Sequence, residues 1–306
     1  MRNVYLGTSE FAASVLERLA GSKHRPALVV TRPARPKGRG RSLHDPPVAE
    51  AADALGIECF QPADVNDAES VERIRVSEPT ALTVCAYGAI VKEPLLSAWP
   101  IFNVHPSLLP RWRGAAPIER AIANGDQQTG VSIMRLVEAL DAGPVCAQQA
   151  VPVGDRNYGD LASELADLGG EMLVKALDAQ ESGTIAWTDQ DELGGEAAVT
   201  YAEKIERDDR VLKPSSTTAG AMIATIRALT PHVGAVLPTV DGGPLRVEDA
   251  RLADAPVPSG EAVELDGRLL VGASDGAIEL LQVKPAGGKT MDVESYLRGN
   301  DVPQLT

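Results

Sequence analysis

Three cysteines, Cys59, Cys85 and Cys146, are spread through 306 residues with no C-x-x-C spacing and no paired histidines beside them. Neither a disulfide framework nor a zinc centre is indicated, so buried thiols and no metal are expected. No segment reaches the roughly eighteen uninterrupted apolar residues of a membrane span. The N-terminus runs straight into a strand-like stretch without a signal-peptide pattern, so a cytoplasmic protein with no membrane partner is expected. Basic residues are also short: 29 Lys and Arg stand against 43 Asp and Glu, a net charge of −14. Such a chain repels polyanions at long range, and a nucleic-acid partner would require a concentrated basic patch. The first βα turn lacks G-x-G-x-x-G, since only Gly7 is present, which disfavours a dinucleotide pyrophosphate there.

What is present is an ordinary globular composition, 44% apolar and 24% charged. The length favours two domains of unequal size. Asn3-Val4-Tyr5-Leu6 followed by Gly7-Thr8-Ser9 reads as a buried strand and tight turn, with Ser9 capping a helix over 11–20. Strands are expected at 27–30, 57–60, 81–86, 101–104, 130–136 and 145–151, and helices at 48–55, 67–76, 115–124 and 158–179. This alternation implies an α/β, doubly wound, mostly parallel Rossmann-like sheet, in which ligands bind outside the carboxyl ends of the strands. Tyr87-Gly88 and the residues from His105 onward fall at such ends.

Residues 188–213 turn polar and irregular and are expected to be a linker, after a catalytic domain at 1–187. Residues 214–306 change character. One helix, at 219–228, is followed by strands at 234–238, 245–253, 268–272 and 278–284, with hairpin signals at Asp241-Gly242 and Asp275-Gly276. A small β-barrel is expected. Gly272-Ala273-Ser274-Asp275-Gly276 matches G-x-S-x-G only by letter, since it falls at a hairpin and not between a parallel strand and a helix.

Three stretches carry candidate chemistry. Asn103 and His105, two apart in a strand, project to the same face, one with an amide and the other with an imidazole. The alternative is a pair of hydrogen-bonding residues at a strand end. Pro106 and Pro110 stiffen the exit that follows. The segment 31–41 holds five basic residues and no acidic one, namely Arg32, Arg35, Lys37, Arg39 and Arg41. Its prolines and glycines exclude a helix or central strand, leaving a mobile surface loop suited to phosphates or, alternatively, a solvated linker. Asp141 precedes a Gly-Pro turn, where it either presents a carboxylate or only shapes the turn.

Taken together, Asn103-Val104-His105, Ser107-Leu108-Leu109-Pro110-Arg111-Trp112-Arg113-Gly114-Ala115-Ala116-Pro117-Ile118 and Leu140-Asp141-x-Gly143 resemble the signatures of the methionyl-tRNA formyltransferase family. Further matches are Gly7-Thr8-x-Glu10-Phe11-Ala12, the Arg39-Gly40-Arg41 segment, Ala86-Tyr87-Gly88, Tyr201-Ala202-x-Lys204-Ile205 and Pro285-Ala286-Gly287 with Lys289. The resemblance implies a formyl-folate-binding catalytic domain and a smaller, OB-like C-terminal domain that contacts tRNA. It implies 10-formyltetrahydrofolate as co-substrate and initiator methionyl-tRNA as acceptor, with a monomer expected. It places Asn103, His105 and Asp141 on the family's catalytic positions. Tyr87, Gly88, Ser107, Leu108, Leu109 and Pro110 match its folate-lining stretches, and Arg32, Arg35, Lys37, Arg39 and Arg41 its tRNA-approaching insertion. Departures are Pro106, where many members carry glycine, Leu229-Thr230-Pro231-His232-Val233 in place of an Asn-Pro-Trp-Pro, and an acidic C-terminal domain.

An acyl transfer through a tetrahedral oxyanion needs a donor where charge develops and a route for the amine proton. On this expectation the Asn103 amide meets the oxyanion, His105 donates to it or exchanges the proton, and Asp141 orients His105 or a bridging water. A formyltransferase acting on a small or sugar amine would share these three residues without calling for the arginine-rich segment. A formyl-folate hydrolase would admit water to the same site, and a non-catalytic tRNA-binding module would need none of the three.

Overall fold

The computed structural model describes residues 1–37, 42–240 and 243–306, so the hairpin signal Asp241-Gly242 lies outside the described residues. The chain forms two compact units, one of residues 1–114, 129–151 and 162–201, the other of residues 115–128, 152–161 and 202–306. The polar stretch expected as a linker contributes 188–201 to the first and 202–213 to the second.

In chain order the strands up to residue 202 are β1 (Asn3–Gly7), β2 (Leu28–Val30), β3 (Arg35–Lys37), β4 (Ser42–His44), β5 (Cys59–Phe60), β6 (Ala81–Cys85), β7 (Ile101–His105), β8 (Arg113–Gly114), β9 (Gln128–Arg135), β10 (Val145–Pro152) and β11 (Tyr201–Ala202). Seven of them form one sheet in the order β10-β9-β7-β6-β1-β2-β5. From β7 to β5 neighbouring strands are parallel, whereas β9 runs antiparallel to β7. The sheet is therefore mostly parallel, as the sequence indicates. The chain winds from β1 outward to β2 and β5, then resumes on the other side with β6 and β7. That reversal lies between β1 and β6, the place where such sheets open a crevice at their carboxyl ends.

Strands β1, β6 and β7 are buried at every residue, which is why they read as continuous apolar runs and not as alternation. Val4, Leu6, Leu28, Val30, Leu82, Val84 and Ile101 pack in one core cluster with Val71 and Ile74. Polar side chains inside these strands bond mostly to the backbone. The Asn3 amide donates to the His24 carbonyl at 2.6 Å, and the Thr83 hydroxyl to the Val4 carbonyl at 3.3 Å.

Helices α1 (Glu10–Ala20), α2 (Pro47–Ala54), α3 (Ala68–Val76), α4 (Leu95–Ala98), α5 (Pro117–Ala123), α6 (Tyr158–Ser182) and α7 (Gln190–Gly194) interleave with the strands. The Ser9 hydroxyl accepts the Ala12 N–H at 3.2 Å and caps α1 as expected. A Cβ at Gly7 would come within 2.7 Å of the Tyr5 ring and 2.9 Å of the Ala12 Cβ, so glycine there serves close packing of strand on helix.

The expectation of a mobile surface loop over 31–41 is corrected in part. β3 and β4 pair antiparallel, Arg35 opposite His44 and Lys37 opposite Ser42, as a two-stranded ribbon outside the main sheet. Pro36 excludes a central strand but not a ribbon, whose strands each have a free edge.

The second unit contains α8 (Ala219–Leu229), β12 (Ala235–Leu237), β13 (Leu245–Ala253), β14 (Ala262–Leu265), β15 (Arg268–Gly272), β16 (Ala277–Lys284), β17 (Met291–Asp292) and α9 (Val293–Leu297). Its strands form an antiparallel sheet in the order β12-β13-β16-β15-β14, with β17 on β16. The residues Gly272 to Gly276 make the β15–β16 hairpin, with the Ala273 N–H donating to the Gly276 carbonyl at 2.7 Å, so the G-x-S-x-G letters carry no nucleophile. Glu279 on β16 is buried, yet its carboxylate is bound from both neighbouring strands by Arg251 at 2.9 Å and Arg268 at 3.0 Å.

Among the described residues no helix is long and apolar enough to cross a membrane.

Candidate active site

Strand β7 brings two polar side chains into the core at its carboxyl end, Asn103 and His105, only 7% and 4% exposed. They share one face because they are two residues apart. Their register is set on both sides: Asn103 lies opposite Val84 of β6 and Met134 of β9, and His105 opposite Ser132. Among the described residues the Asn103 amide meets no hydrogen-bond partner. The residue is largely buried, yet its amide is not among the fully buried polar atoms without a partner, so it keeps a solvent-facing edge that a ligand can reach.

His105 is held by a backbone atom. Its Nε2 lies 2.9 Å from the Trp112 carbonyl, and because a carbonyl only accepts, Nε2 is the protonated nitrogen. Nδ1 then faces the Asp141 carboxylate, with Oδ2 at 3.7 Å. That separation is long for a direct hydrogen bond. The same Oδ2 accepts the Gly114 N–H at 2.8 Å. Thus the carboxylate that follows an ordinary Glu-Ala-Leu run in the sequence stands beside the imidazole in space.

The loop after β7 is tied down from several directions. The Ser107 hydroxyl donates to the Arg111 carbonyl at 2.6 Å, and the Ser132 hydroxyl to the Ser107 carbonyl at 2.6 Å. The Leu109 N–H donates to the Ser132 oxygen at 3.1 Å, and the Gln148 amide donates to the Leu109 carbonyl at 2.7 Å. Ser107, Leu109 and Pro110 are buried and Leu108 half-buried, so the Ser107 hydroxyl serves its own loop. Further on, Trp112 adopts a left-handed backbone with φ of 62°, and its N–H donates to the Thr200 hydroxyl at 2.9 Å.

The turn bearing Asp141 is equally constrained. Asp141 has φ of 45°, in the left-handed region that L-residues other than asparagine and aspartate avoid. A Cβ at Gly143 would fall 1.9 Å from the Arg135 carbonyl oxygen, which requires glycine. Gln190, 3% exposed on α7, donates to the carbonyls of Asp141 and Gly143 at 2.8 Å each and accepts from the Arg113 guanidinium at 3.0 and 2.8 Å. Sequence reasoning missed Gln190, because it sits in the irregular polar stretch 188–213. The one available signal was a helix start, Asp189 followed by acidic residues, inside a supposed linker.

Tyr87 follows β6, with its hydroxyl buried and unpartnered among the described residues, as is Nε of Arg32. Burial pushes the Tyr87 phenol up, and the nearby Arg32 charge partly offsets this. Gly88 has φ of 76°, a conformation that favours glycine. Arg32 is half-buried and donates to the Ala63 carbonyl at 3.2 Å, so it is tied to the sheet edge and is not part of the exposed ribbon. Arg35 is exposed on β3. Arg39 and Arg41, and the side chain of Lys37, lie outside the described residues.

For a metal, the described residues offer one cluster with suitable reach, His24, Asp178 and Glu181. Its carboxylates are already paired with Lys23 at 2.9 and 3.1 Å, and that contact holds Asp178 below the usual carboxylate range.

Comparisons with known proteins show the family. A formyl transferase model matches residues 1–177, and a formyl transferase C-terminal domain model matches residues 204–301. The methionyl-tRNA formyltransferase of Methylococcus capsulatus is 40% identical over 306 residues, covering 98% of this chain and 97% of its own. That of Phenylobacterium zucineum is also 40% identical, over 99% of this chain and 98% of its own. The chain belongs to the methionyl-tRNA formyltransferase family.

Solved structures extend the likeness of fold at low identity. The N-formyltransferase of Helicobacter canadensis, solved with folinic acid and dTDP-3-aminofucose, superposes with a TM-score of 0.67 at 15% identity, over 92% of this chain and 98% of its own. HypX of Aquifex aeolicus in complex with tetrahydrofolic acid gives 0.65 at 17% identity, over 97% of this chain and 47% of that longer one. At such identities the family's likeness to these two is one of fold.

Proposed function

We propose that this chain transfers the formyl group of 10-formyltetrahydrofolate to the α-amine of methionyl-initiator tRNA. The observation that carries the chemistry is the Asn103 amide, with no hydrogen-bond partner among the described residues and not fully buried, beside an imidazole whose Nδ1 faces a carboxylate. The full-length identity to methionyl-tRNA formyltransferases supports the choice of acceptor.

Attack of the amine on the formyl carbon makes a C–N bond and puts negative charge on the formyl oxygen. The Asn103 NH2 is a donor with no partner among the described residues, so it suits that oxygen, and fixed donors of this kind need no reorganisation as charge develops. The attacking nitrogen becomes cationic and must lose a proton, while N10 of the folate must gain one as the C–N10 bond breaks. His105 suits both transfers through Nδ1, since Nε2 is committed to the Trp112 carbonyl. Asp141 lies close enough to steady the proton at Nδ1 directly or through the amine. One proton leaves the amine and one reaches N10, so the enzyme returns to its starting state.

Tyr87, Gly88 and the stretch Ser107 to Pro110 line the carboxyl ends of β6 and β7, and the unpartnered Tyr87 hydroxyl and Arg32 Nε offer polar contacts for the folate. The basic segment with Arg35, Lys37, Arg39 and Arg41 supplies phosphate contacts for the tRNA. Incubating the protein with 10-formyltetrahydrofolate and methionylated initiator tRNA, and in parallel with free amines or with no acceptor, tests the reading. Formylmethionine on the tRNA, matched by equimolar tetrahydrofolate, is expected. Formyl release to water or to small amines, with the tRNA untouched, would overturn it.

A further inference from the structure

The Asp141 carboxylate is not placed by its own backbone alone. Its turn combines a left-handed residue with a glycine pressed against the Arg135 carbonyl, and the partner of Oδ2 is the Gly114 N–H on a different loop. Two segments distant in sequence must therefore keep register if the carboxylate is to face Nδ1 of His105. One side chain joins them. We infer that Gln190 is a positioning residue for the transfer reaction, fixing the Asp141 carboxylate relative to His105 by clamping both loops at once; this rests on the role proposed above for Asp141.

A primary amide has two N–H donors and an oxygen with two lone pairs. In Gln190 all four are used: the donors on the carbonyls of Asp141 and Gly143, the oxygen on two nitrogens of Arg113. The guanidinium can only donate and the carbonyls can only accept, so the amide has one orientation. Arg113 immediately precedes Gly114, whose N–H holds the carboxylate, and the Arg113 N–H is itself fixed to the Thr200 carbonyl at 2.9 Å. The amide thus ties the main chain on one side of the carboxylate to its hydrogen-bond donor on the other. With Gln190 only 3% exposed, water cannot take over these bonds. A neutral side chain with both donors and acceptors is required. Glutamate in its place would bind Arg113 but repel both carbonyls.

Gln190→Glu and Gln190→Leu test this, each also combined with Asp141→Asn, with far-UV circular dichroism and thermal melts on every variant. Misplacement of a catalytic group by about 1 Å costs on the order of 100-fold, so kcat is expected to fall roughly 10- to 100-fold in both single variants. KM for the folate and for the tRNA should stay within about twofold. In the Asp141→Asn background the second substitution should cost no more than about threefold further, because the group it positions is already gone. Near-normal kcat in both Gln190 variants, with Asp141→Asn impaired, would overturn the inference alone. Full additivity in the double variants, or failure of both single variants to fold, would reduce Gln190 to a structural prop and overturn it as well. Near-normal turnover in Asp141→Asn itself would instead remove the premise about Asp141.

Discussion

His105 donates from Nε2 to the carbonyl of Trp112 at 2.9 Å, which leaves its other nitrogen facing the Asp141 carboxylate. The imidazole is oriented by the loop that leaves its own strand, seven residues on. What its other face meets then depends on where the Asp141 turn comes to rest.

Asn103→Ala is expected to lower kcat by about 100- to 1000-fold, the usual cost of losing one oxyanion donor. Thermal stability should be unchanged or slightly improved, since the amide has no partner among the described residues to lose. Steady-state kinetics and a melting curve on the same preparation check both halves.

At position 141 charge and backbone can be separated. Asparagine tolerates a φ of 45° nearly as well as aspartate does, whereas alanine is disfavoured by roughly 1 kcal/mol or more in the left-handed region. Asp141→Asn should therefore melt close to the parent and Asp141→Ala lower, while both lose most of their turnover. Equal melting temperatures for the two variants would count against the left-handed backbone.

For the basic segment, replacing Arg35, Arg39 and Arg41 by serine should weaken tRNA binding and flatten its salt dependence. The logarithmic slope should fall by about 0.9 for each phosphate that is no longer neutralised, taking the duplex value. Binding titrations at several salt concentrations measure it, and an unaltered slope would leave the segment a solvated one. Folate kinetics with the triple variant should match the parent.

The ion pair of Arg120 with Asp209, 2.9 Å long, gives a pH-dependent contribution in the second unit. The guanidinium holds the Asp209 carboxyl below the usual carboxylate range. A depressed folded-state value means the stabilisation is present above the unfolded value of about 3.9 and lost as pH falls through the folded one. Both groups are partly exposed, so the effect should stay below about 1 kcal/mol. Asp209→Asn is expected to shallow the loss of stability below about pH 4, measured by urea unfolding across pH.

Local periodicity made the core of the site legible. The two-residue spacing of Asn103 and His105 inside an apolar run requires a shared face in any strand, and the structure supplies one. Buried parallel strands were legible for the same reason, as unbroken apolar runs. The antiparallel turn of β9 was not, since direction within a sheet is decided by connections and not by composition. Asp141 and Gln190 were harder still. Each lies in a turn or short helix whose local sequence is commonplace, and each matters only through partners 27 to 77 residues away. Pro36 shows the opposite limit: excluding a helix and a central strand leaves a loop as the simplest reading, yet it does not exclude a free-standing ribbon. The short strands β14 and β17 escaped notice because few residues of each are buried.

Because the atom that orients the His105 imidazole belongs to a peptide bond, exchanging the side chain at position 112 does not by itself remove it. Any residue that tolerates the left-handed backbone and keeps its N–H on Thr200 presents the same oxygen. Within that limit, heritable variation can explore the indole position without touching the orientation of His105.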